Sequence, residues 1–530
     1  MEAQENIFTP LLNDQLSKIK VLSYKELLEN KSFSGLGLHH RKVTGVTYPK
    51  NSTEVQHIIS TAAENKTPIY PVSCGRNWGY GKSCPPKTGC IVLDMHKMNR
   101  ISDFDPVLGS VEIEPGVTQG QLANFLKNTD WMMDCTGAGP NTSIIGNILE
   151  RGFGHSPLGY RVRHFAVTEL ILSNGSVYNL SSPGQYVGRI GLSAGIHEIF
   201  TQNNIGVVTK IRLELNPRPE CSLRCIIKLK DHSAISEYIN AMRELKSEGT
   251  VDALPHIGNH YRMLGMFSQF DFANWDTKTG SNQYDINNLL NKFNISPWMA
   301  TFSIFGNTSV AKAKAKRVRQ RLNKIAAVYT IPYSLFQKVQ SLANWLSSNA
   351  SWIPKIDTAN NKITEISKAM GIFEGIPDNV ALKGCYWRHR NSKPQQELDP
   401  IDNGCGFFWL APSLPMIGKD VEKCLSITEY EFKQAGFEMA VTLTAVTSRL
   451  CQAIISLYYD TSNYDETKLA HETIKKLRKK YVELGWMPYR RAVDEMPLND
   501  GLEQDALSLR KIIKQAMDPK NTIAPGRYEC

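Results

Sequence analysis

Apolar and polar positions alternate along several short stretches of this chain and recur at helical spacing along several longer ones, the two patterns interleaving. Ser110 to Ile113 (SVEI) alternates and runs into Glu114-Pro115-Gly116, after which VTQGQLANFL has the spacing of an amphipathic helix. The run CIVLDM, Cys90 to Met95, is strand-like, and NNIGVVTKIRLEL, Asn203 to Leu215, reads as a strand entered through Gly206. Two prolines in NPRPE then break the pattern. The next segment, CSLRCIIKLKDHSAISEYINAMRELKSEG, reads as strand then helix. Further strands are expected at Trp298 to Ile304, Gly406 to Ala411 and Ala440 to Val446, and helices at Val310 to Val328, Lys419 to Ala435 and Glu466 to Leu484. An antiparallel sheet with helices packed on one side would bury both sets of apolar faces.

Composition narrows the class without identifying it. A chain of 530 residues has room for two or more domains, and 42% hydrophobic with 21% charged residues is ordinary for a soluble globular protein. No uninterrupted apolar run is long enough to span a bilayer. The opening MEAQENIFTPLLNDQ carries acids and no continuous apolar core, so no secretory signal and a cytoplasmic location are expected. The net charge of +10 is scattered, and its densest cluster, AKAKAKRVRQRLNK at Ala311 to Lys324, has no aromatic stacking platform interleaved with it. A solvated helix face is expected there, not a nucleic-acid site. The eleven cysteines are widely separated and lack paired C-x-x-C spacing, which points to reduced structural thiols. His256 and His260 have the i, i+4 spacing that sets two metal ligands on one helix face, but the surrounding LPHIGNHYRML is core-like and no Glu follows the first His. No metal is expected.

Candidate chemistry enters at Pro71 to Gly81, PVSCGRNWGYG, a glycine-punctuated run after an apolar strand-like segment. Gly75, Gly79 and Gly81 permit positive φ and close backbone approach, and Arg76 adds a fixed charge, so a pyrophosphate is a natural guest. The spacing is not the G-x-G-x-x-G of a nicotinamide site, and taken alone such a loop also reads as an ordinary tight connection. SIIGNILERGFGHSPLGYR, Ser143 to Arg161, offers more small residues and accessible backbone near Gly146, Gly152 and Gly154.

These segments, in this order, resemble the flavin-binding domain of the vanillyl-alcohol oxidase and p-cresol methylhydroxylase family, the FAD-linked oxidases. The resemblance continues through ELGWMPYRRA around Tyr489 to DPKNTIAPGR at Asp518 to Arg527, and so covers most of the chain. It implies an α+β protein: a two-subdomain FAD-binding domain holding an extended FAD, and an α+β cap domain with an antiparallel sheet over the isoalloxazine ring. The main part of the FAD-binding domain is expected at 1–218, the cap at 219–485, and a C-terminal return to the first domain at 486–530. The cofactor-binding positions it implies are Pro71, Ser73, Cys74, Gly75, Arg76, Asn77, Gly79, Tyr80 and Gly81 in the loop. Glu114, Pro115 and Gly116 follow, then Ile145, Gly146, Asn147, Gly152 and Gly154, then Ile205, Gly206, Val207 and finally Arg527.

In the matching family positions two tyrosines and an arginine surround a phenolic oxygen, which assigns those roles to Tyr80, Tyr489 and Arg490. The physical logic is direct: Arg stays protonated, tyrosine hydroxyls donate, and together they favour phenolate over phenol. Hydride then leaves the para benzylic carbon more readily, with flavin N5 as acceptor and a p-quinone methide as product. Any one of the three, taken singly, also reads as a loop-filling or surface residue. His155 is a further acid/base candidate, because its pKa crosses neutral pH and flanking glycines allow close approach; a structural histidine is the competing reading. Glu150 and Arg151 are expected to contribute local polar bonding.

Two departures from the family pattern matter. Many members attach FAD through a His in the cap strand, but AVTSRLCQAIISLYYD has Cys451-Gln452 there, and Arg76 stands where bicovalent relatives place a loop His. FAD without a histidyl link is expected, with Cys451 read as a buried thiol. The acid often found near flavin N5 is replaced by Thr136, Gly137 and Ala138, with Asp134 slightly upstream. The partners implied are a small aromatic substrate and either oxygen or a redox protein as electron acceptor, with no nucleic acid and no membrane; a homodimer is compatible with the family. Two other readings stay open: oxidation of another hydroxylated or heteroaromatic metabolite, and a flavin-binding protein with little turnover.

Overall fold

The computed structural model describes residues 41, 43–180, 196–272, 286–349, 356–391, 393–394, 398–498 and 500–528. The opening MEAQENIFTPLLNDQ lies outside the described residues. Three parallel strands, β1 (Gly45–Thr47), β2 (Ile69–Val72) and β3 (Ile91–Asp94), form a sheet in the order β1-β3-β2. Helix α1 (Ser52–Glu64) begins at Asn51, whose side chain accepts from the Glu54 amide, and buries Val55, Ile58, Ile59 and Ala62 at helical spacing against β2 and β3. The chain end returns to this sheet, where the Ile69 and Ala524 amides donate to the Thr522 and Ile69 carbonyls at 2.8 and 2.7 Å.

A second sheet is antiparallel, in the order β4-β5-β9-β7-β8, from β4 (Ile101–Asp105), β5 (Ser110–Ile113), β7 (Phe165–Ile171), β8 (Val177–Asn179) and β9 (Val207–Glu214). A two-stranded ribbon pairs β6 (Trp131–Met132) with β10 (Asn216–Pro217). Helices α2 (Gln119–Phe125) and α3 (Ile144–Leu149) pack Leu122, Ile145 and Ile148 into the core beneath it. Thr118 caps α2 through a reciprocal capping box with Gln121, which fixes the start of the predicted helix.

The third sheet is the largest. Its order is β14-β11-β13-β12-β17-β18-β15, with β16 beside β18, from β11 (Cys221–Leu229), β12 (His256–Asn259), β13 (Trp298–Gly306), β14 (Ala326–Pro332), β15 (Gly406–Leu410), β16 (Ser413–Pro415), β17 (Ala440–Ala445) and β18 (Leu450–Tyr459). Every paired neighbour is antiparallel. Helices α4 (Ala234–Ser247), α7 (Thr308–Leu322), α10 (Gly418–Gln434) and α11 (Tyr464–Glu483) share one apolar core with this sheet, as the interleaved pattern predicts; between α4 and α7 lie α5 (His260–Phe267) and α6 (Ile286–Phe293), and between α7 and α10 lie α8 (Tyr333–Asn349) and α9 (Ile356–Gly371). A separate cluster joins Phe407, Ala440 and Tyr458 of the sheet to Trp78 of the glycine-rich loop.

Three expectations are corrected. The helix expected over Val310 to Val328 ends at Leu322, the last buried residue of its stripe, and Ala326–Pro332 turns back as edge strand β14. Its cations are not simply solvated: Lys314, Arg317 and Arg321 pair with Asp252, Glu248, Glu237 and Glu244. His256 and His260 do not share a helix face, because His256 lies in β12 and His260 begins α5. Among the described residues no group of three His, Cys, Asp or Glu side chains could hold a metal, and no helix is long and apolar enough to cross a membrane.

Candidate active site

The glycine-rich loop leaves β2 and is pressed between two distant segments. The Tyr80 carbonyl accepts from the Val493 amide at 2.7 Å, and the Gly79 carbonyl accepts from the Trp409 amide of β15 at 3.3 Å. Gly79 and Gly81 hold φ of 67° and 114°, and a Cβ on each would lie 2.6 Å from Trp409 Cδ2 and 2.3 Å from Val493 Cγ1. Glycine is required there by backbone and by space. Gly146, in the first turn of α3, sits against Ser73, where a Cβ would be 2.2 Å from its Oγ; the Cys74 thiol is 3.6 Å from the Gly116 carbonyl. Glu114 accepts from the Arg100 amide at 2.9 Å and so shapes the 114–116 turn. Ile205 and Val207 are buried at the entry to β9, with Gly206 against Leu170, while Gly152 abuts Asn147. Pro71 pairs with Leu93 within the parallel sheet.

This donor set fits an anionic cofactor. Segment 73–77 is half-buried, and the amides of Gly75, Arg76 and Asn77 donate no hydrogen bond within the described chain. Three partly accessible amides without partners are what a pyrophosphate uses. The Arg76 guanidinium, expected to add free positive charge, is ion-paired with Asp399, which also accepts from Trp78 Nε1 at 3.1 Å and lies 3.3 Å from Lys82 Nζ.

Tyr80, Tyr489 and Arg490 converge, although the last two are some four hundred positions from the first. The Arg490 guanidinium lies 4.6 Å from the centre of the Tyr80 ring and donates to Asn77 Oδ1. The Tyr489 ring rests on Phe153 at 4.9 Å, and its backbone is held by Ala411 and Gln202. The buried Tyr80 hydroxyl and Arg490 Nε have no hydrogen-bond partner. Burial, then Tyr489, pushes the Tyr80 pKa well above 10 against the pull of Arg490. Burial opposes the Arg490 charge, but Glu150, Tyr489 and Tyr80 outweigh it and keep its pKa raised.

Glu150 completes the cluster. Arg527 and the Tyr528 hydroxyl both hydrogen-bond to it, the latter at 2.8 Å, and Arg490 Nε is 3.6 Å from Glu150 Oε2. Two guanidiniums share one carboxylate, so the group carries a net positive charge. Glu150, expected to make only local polar bonds, instead meets Arg490, Arg527 and Tyr528 from the far end of the chain, and neither Tyr528 nor the Asn77 side chain is marked in the sequence. The sole available signal was the adjacency of Tyr528 to the Arg527 run.

The described contacts of His155 are with other groups. Its ring stacks on His256 at 4.1 Å, and Nδ1 is 3.0 Å from the Cys135 carbonyl. Burial lowers the pKa of both histidines, that of His256 well below 6.5. Asp134 is engaged by Arg161 at 2.7 Å and by the amides of His155 and Ser156, and a Cβ on Gly154 would meet it at 1.5 Å. Cys451 is buried in the core of the large sheet, its pKa pushed up to about 12 by burial. Gln452 donates to the Ala411 and Pro412 carbonyls at 2.8 and 2.9 Å, a structural role.

Comparison with known proteins agrees with this architecture. An FAD binding domain family model matches residues 43–181. The chain is 28% identical to 1'-carboxy-chondrochloren decarboxylase of Chondromyces crocatus, over 92% of this chain and 91% of the relative. It is 26% identical to the 4-cresol dehydrogenase (hydroxylating) flavoprotein subunit of Pseudomonas putida, over 89% and 85%. A substrate-bound p-cresol methylhydroxylase structure superposes with a TM-score of 0.82 at 22% identity, covering 99% of this chain and 96% of that one. Fold and sequence together define an FAD-dependent oxidoreductase. In sequence and fold the chain resembles the vanillyl-alcohol oxidase and p-cresol methylhydroxylase family of FAD-linked oxidases.

Proposed function

We propose that this enzyme oxidises a para-substituted phenol at its benzylic carbon. The observation that carries the reading is Arg490, half-buried, only partly hydrogen-bonded and set against Tyr80, in a cluster with net positive charge. Such a site favours an anionic oxygen. Bound at the 73–77 loop, FAD supplies the two-electron acceptor. The chain's own residues prepare the substrate: Arg490 holds the phenolate charge, and the Tyr80 hydroxyl, set beside Tyr489, donates to the same oxygen. Electron density from the phenolate then weakens the para benzylic C–H bond, and departure of hydride leaves a p-quinone methide.

The similarity to a decarboxylase supports a second reading, in which the substrate carries a carboxylate and CO2 leaves in the course of the oxidation. The engagement of Asp134 and Glu150 by protein partners, leaving neither free to activate water, favours a course without hydration. Product analysis with 4-alkylphenols and with 4-hydroxyphenyl carboxylic acids separates the two. FAD is proposed to be held without a histidyl bond, because Gln452 and Arg76 occupy the relevant positions. Acid precipitation is expected to release all flavin into the supernatant, and flavin retained in the pellet would overturn this. Oxygen or a redox protein serves as electron acceptor, and peroxide release under air assigns it to oxygen.

The test of the phenolate reading is Arg490→Met. Phenolic ligands should bind more weakly, anaerobic flavin reduction should slow, and the bound phenol's pKa should rise, while O-methyl ethers should be little affected. Equal bound pKa values and equal reduction rates in both proteins would reject the reading.

A further inference from the structure

The charge partition around Glu150 has a consequence for ligand ionisation, and it rests on the phenolate reading above. Glu150 follows α3 directly, where its carboxylate meets three groups from the C-terminal region of the chain. One oxygen pairs with Arg527. The other accepts from the Tyr528 hydroxyl at 2.8 Å and lies 3.6 Å from Arg490 Nε, beyond hydrogen-bond length. Tyr528 is held at φ 48°, a conformation that bulky residues avoid, so its hydroxyl is maintained on Glu150 against a local backbone preference. Arg490 is therefore near enough to Glu150 to lose part of its field, yet is not neutralised by it.

We propose that Glu150, held back by Tyr528, is a positioning residue that sets how strongly Arg490 stabilises an ionised phenolic ligand. Two substitutions then act with opposite sign. Glu150→Gln keeps the shape and an acceptor oxygen but removes the negative charge, so Arg490 acts on the ligand at full strength. Tyr528→Phe removes the hydroxyl, freeing the carboxylate for Arg490, so the ligand is held less strongly in its ionised form.

The experiment is a difference-absorbance titration of 4-nitrophenol bound to the FAD-loaded wild-type protein and to Glu150→Gln, Tyr528→Phe and Arg490→Met. Glu150→Gln should lower the bound pKa by about one unit and tighten phenolate binding about tenfold. Tyr528→Phe should raise the bound pKa. 4-Nitroanisole, which cannot ionise, should bind all four proteins alike. Shifts of the same sign in the Glu150 and Tyr528 variants, or no shift in either, would overturn the proposal; if Glu150→Gln loses flavin, a fall or no change in Tyr528→Phe does so by itself. If Arg490→Met leaves the bound pKa unchanged, the phenolate reading fails. If Arg490→Met raises it while the other two do not diverge, only the role of Glu150 fails.

Discussion

Gly79 shows how one residue ties the glycine-rich loop to the large sheet. Its φ of 67° already disfavours any side chain, and the nearest obstacle to a Cβ is the Trp409 indole of β15, 2.6 Å away. Gly79→Val should therefore displace the loop from the large sheet and weaken FAD retention, read as a lower flavin-to-protein absorbance ratio in folded material. Unchanged FAD affinity in that variant would remove the loop from the cofactor site. The convergence of Tyr80, Tyr489 and Arg490 was reachable from sequence only through the family resemblance of the runs that hold them. The meeting of Glu150 with Tyr528 was not: their hydrogen bond spans 378 positions, and neither sits in a local pattern that announces a partner. The free charge expected on Arg76 was misjudged for the same reason, since Asp399 is 323 positions away.

Between elements, Asp399 clamps the loop to the segment before β15. It meets Arg76, Trp78 and Lys82 together, and Lys82 has a second carboxylate, Asp402, at 2.5 Å. Asp399→Asn leaves Arg76, half-buried, without its counter-charge while Lys82 keeps Asp402, and a loss of about 2 kcal/mol is expected. Urea unfolding of the FAD-saturated variant measures it, and an unshifted midpoint would show the clamp to be energetically idle. Elements with clean periodicity, such as β9 and α10, were predictable to within a few residues. The turn at 323–325 was not, because Ala326, Ala327 and Val328 prolong the apolar sequence of α7 while belonging to β14. The i, i+4 spacing of His256 and His260 does not mark a shared helix face, because a strand residue and the first residue of the helix after it produce the same spacing.

For the whole molecule, buried titratable groups set opposite limits on the pH range. Burial pushes Glu495 from 4.5 up to about 7, against Arg478 and Arg491 and with Asp500 nearby. Its native form binds a proton that the unfolded chain gives up above 4.5, so stability is lost as pH rises from 4.5 through 7, by up to about 3 kcal/mol. Glu495→Gln should flatten that decline in thermal unfolding measured from pH 5 to pH 8; an unchanged slope would place the proton elsewhere. The stacked His155 and His256, both lowered from 6.5, work in reverse. Stability that they leave intact above 6.5 is lost as pH falls through their lower native values.

The pairing of Ile69 with the segment around Ile523 sets an order of events during synthesis. The two early sheets emerge from the ribosome lacking the edge contact that closes β2 and lacking Arg490, Arg527 and Tyr528. Some 300 residues separate β9 from Ile523, and at about 5–20 residues per second they take roughly 15–60 s to appear. Through that interval β2 keeps an open edge, and Glu150 gains Arg490, Arg527 and Tyr528 only after translation has passed residue 528.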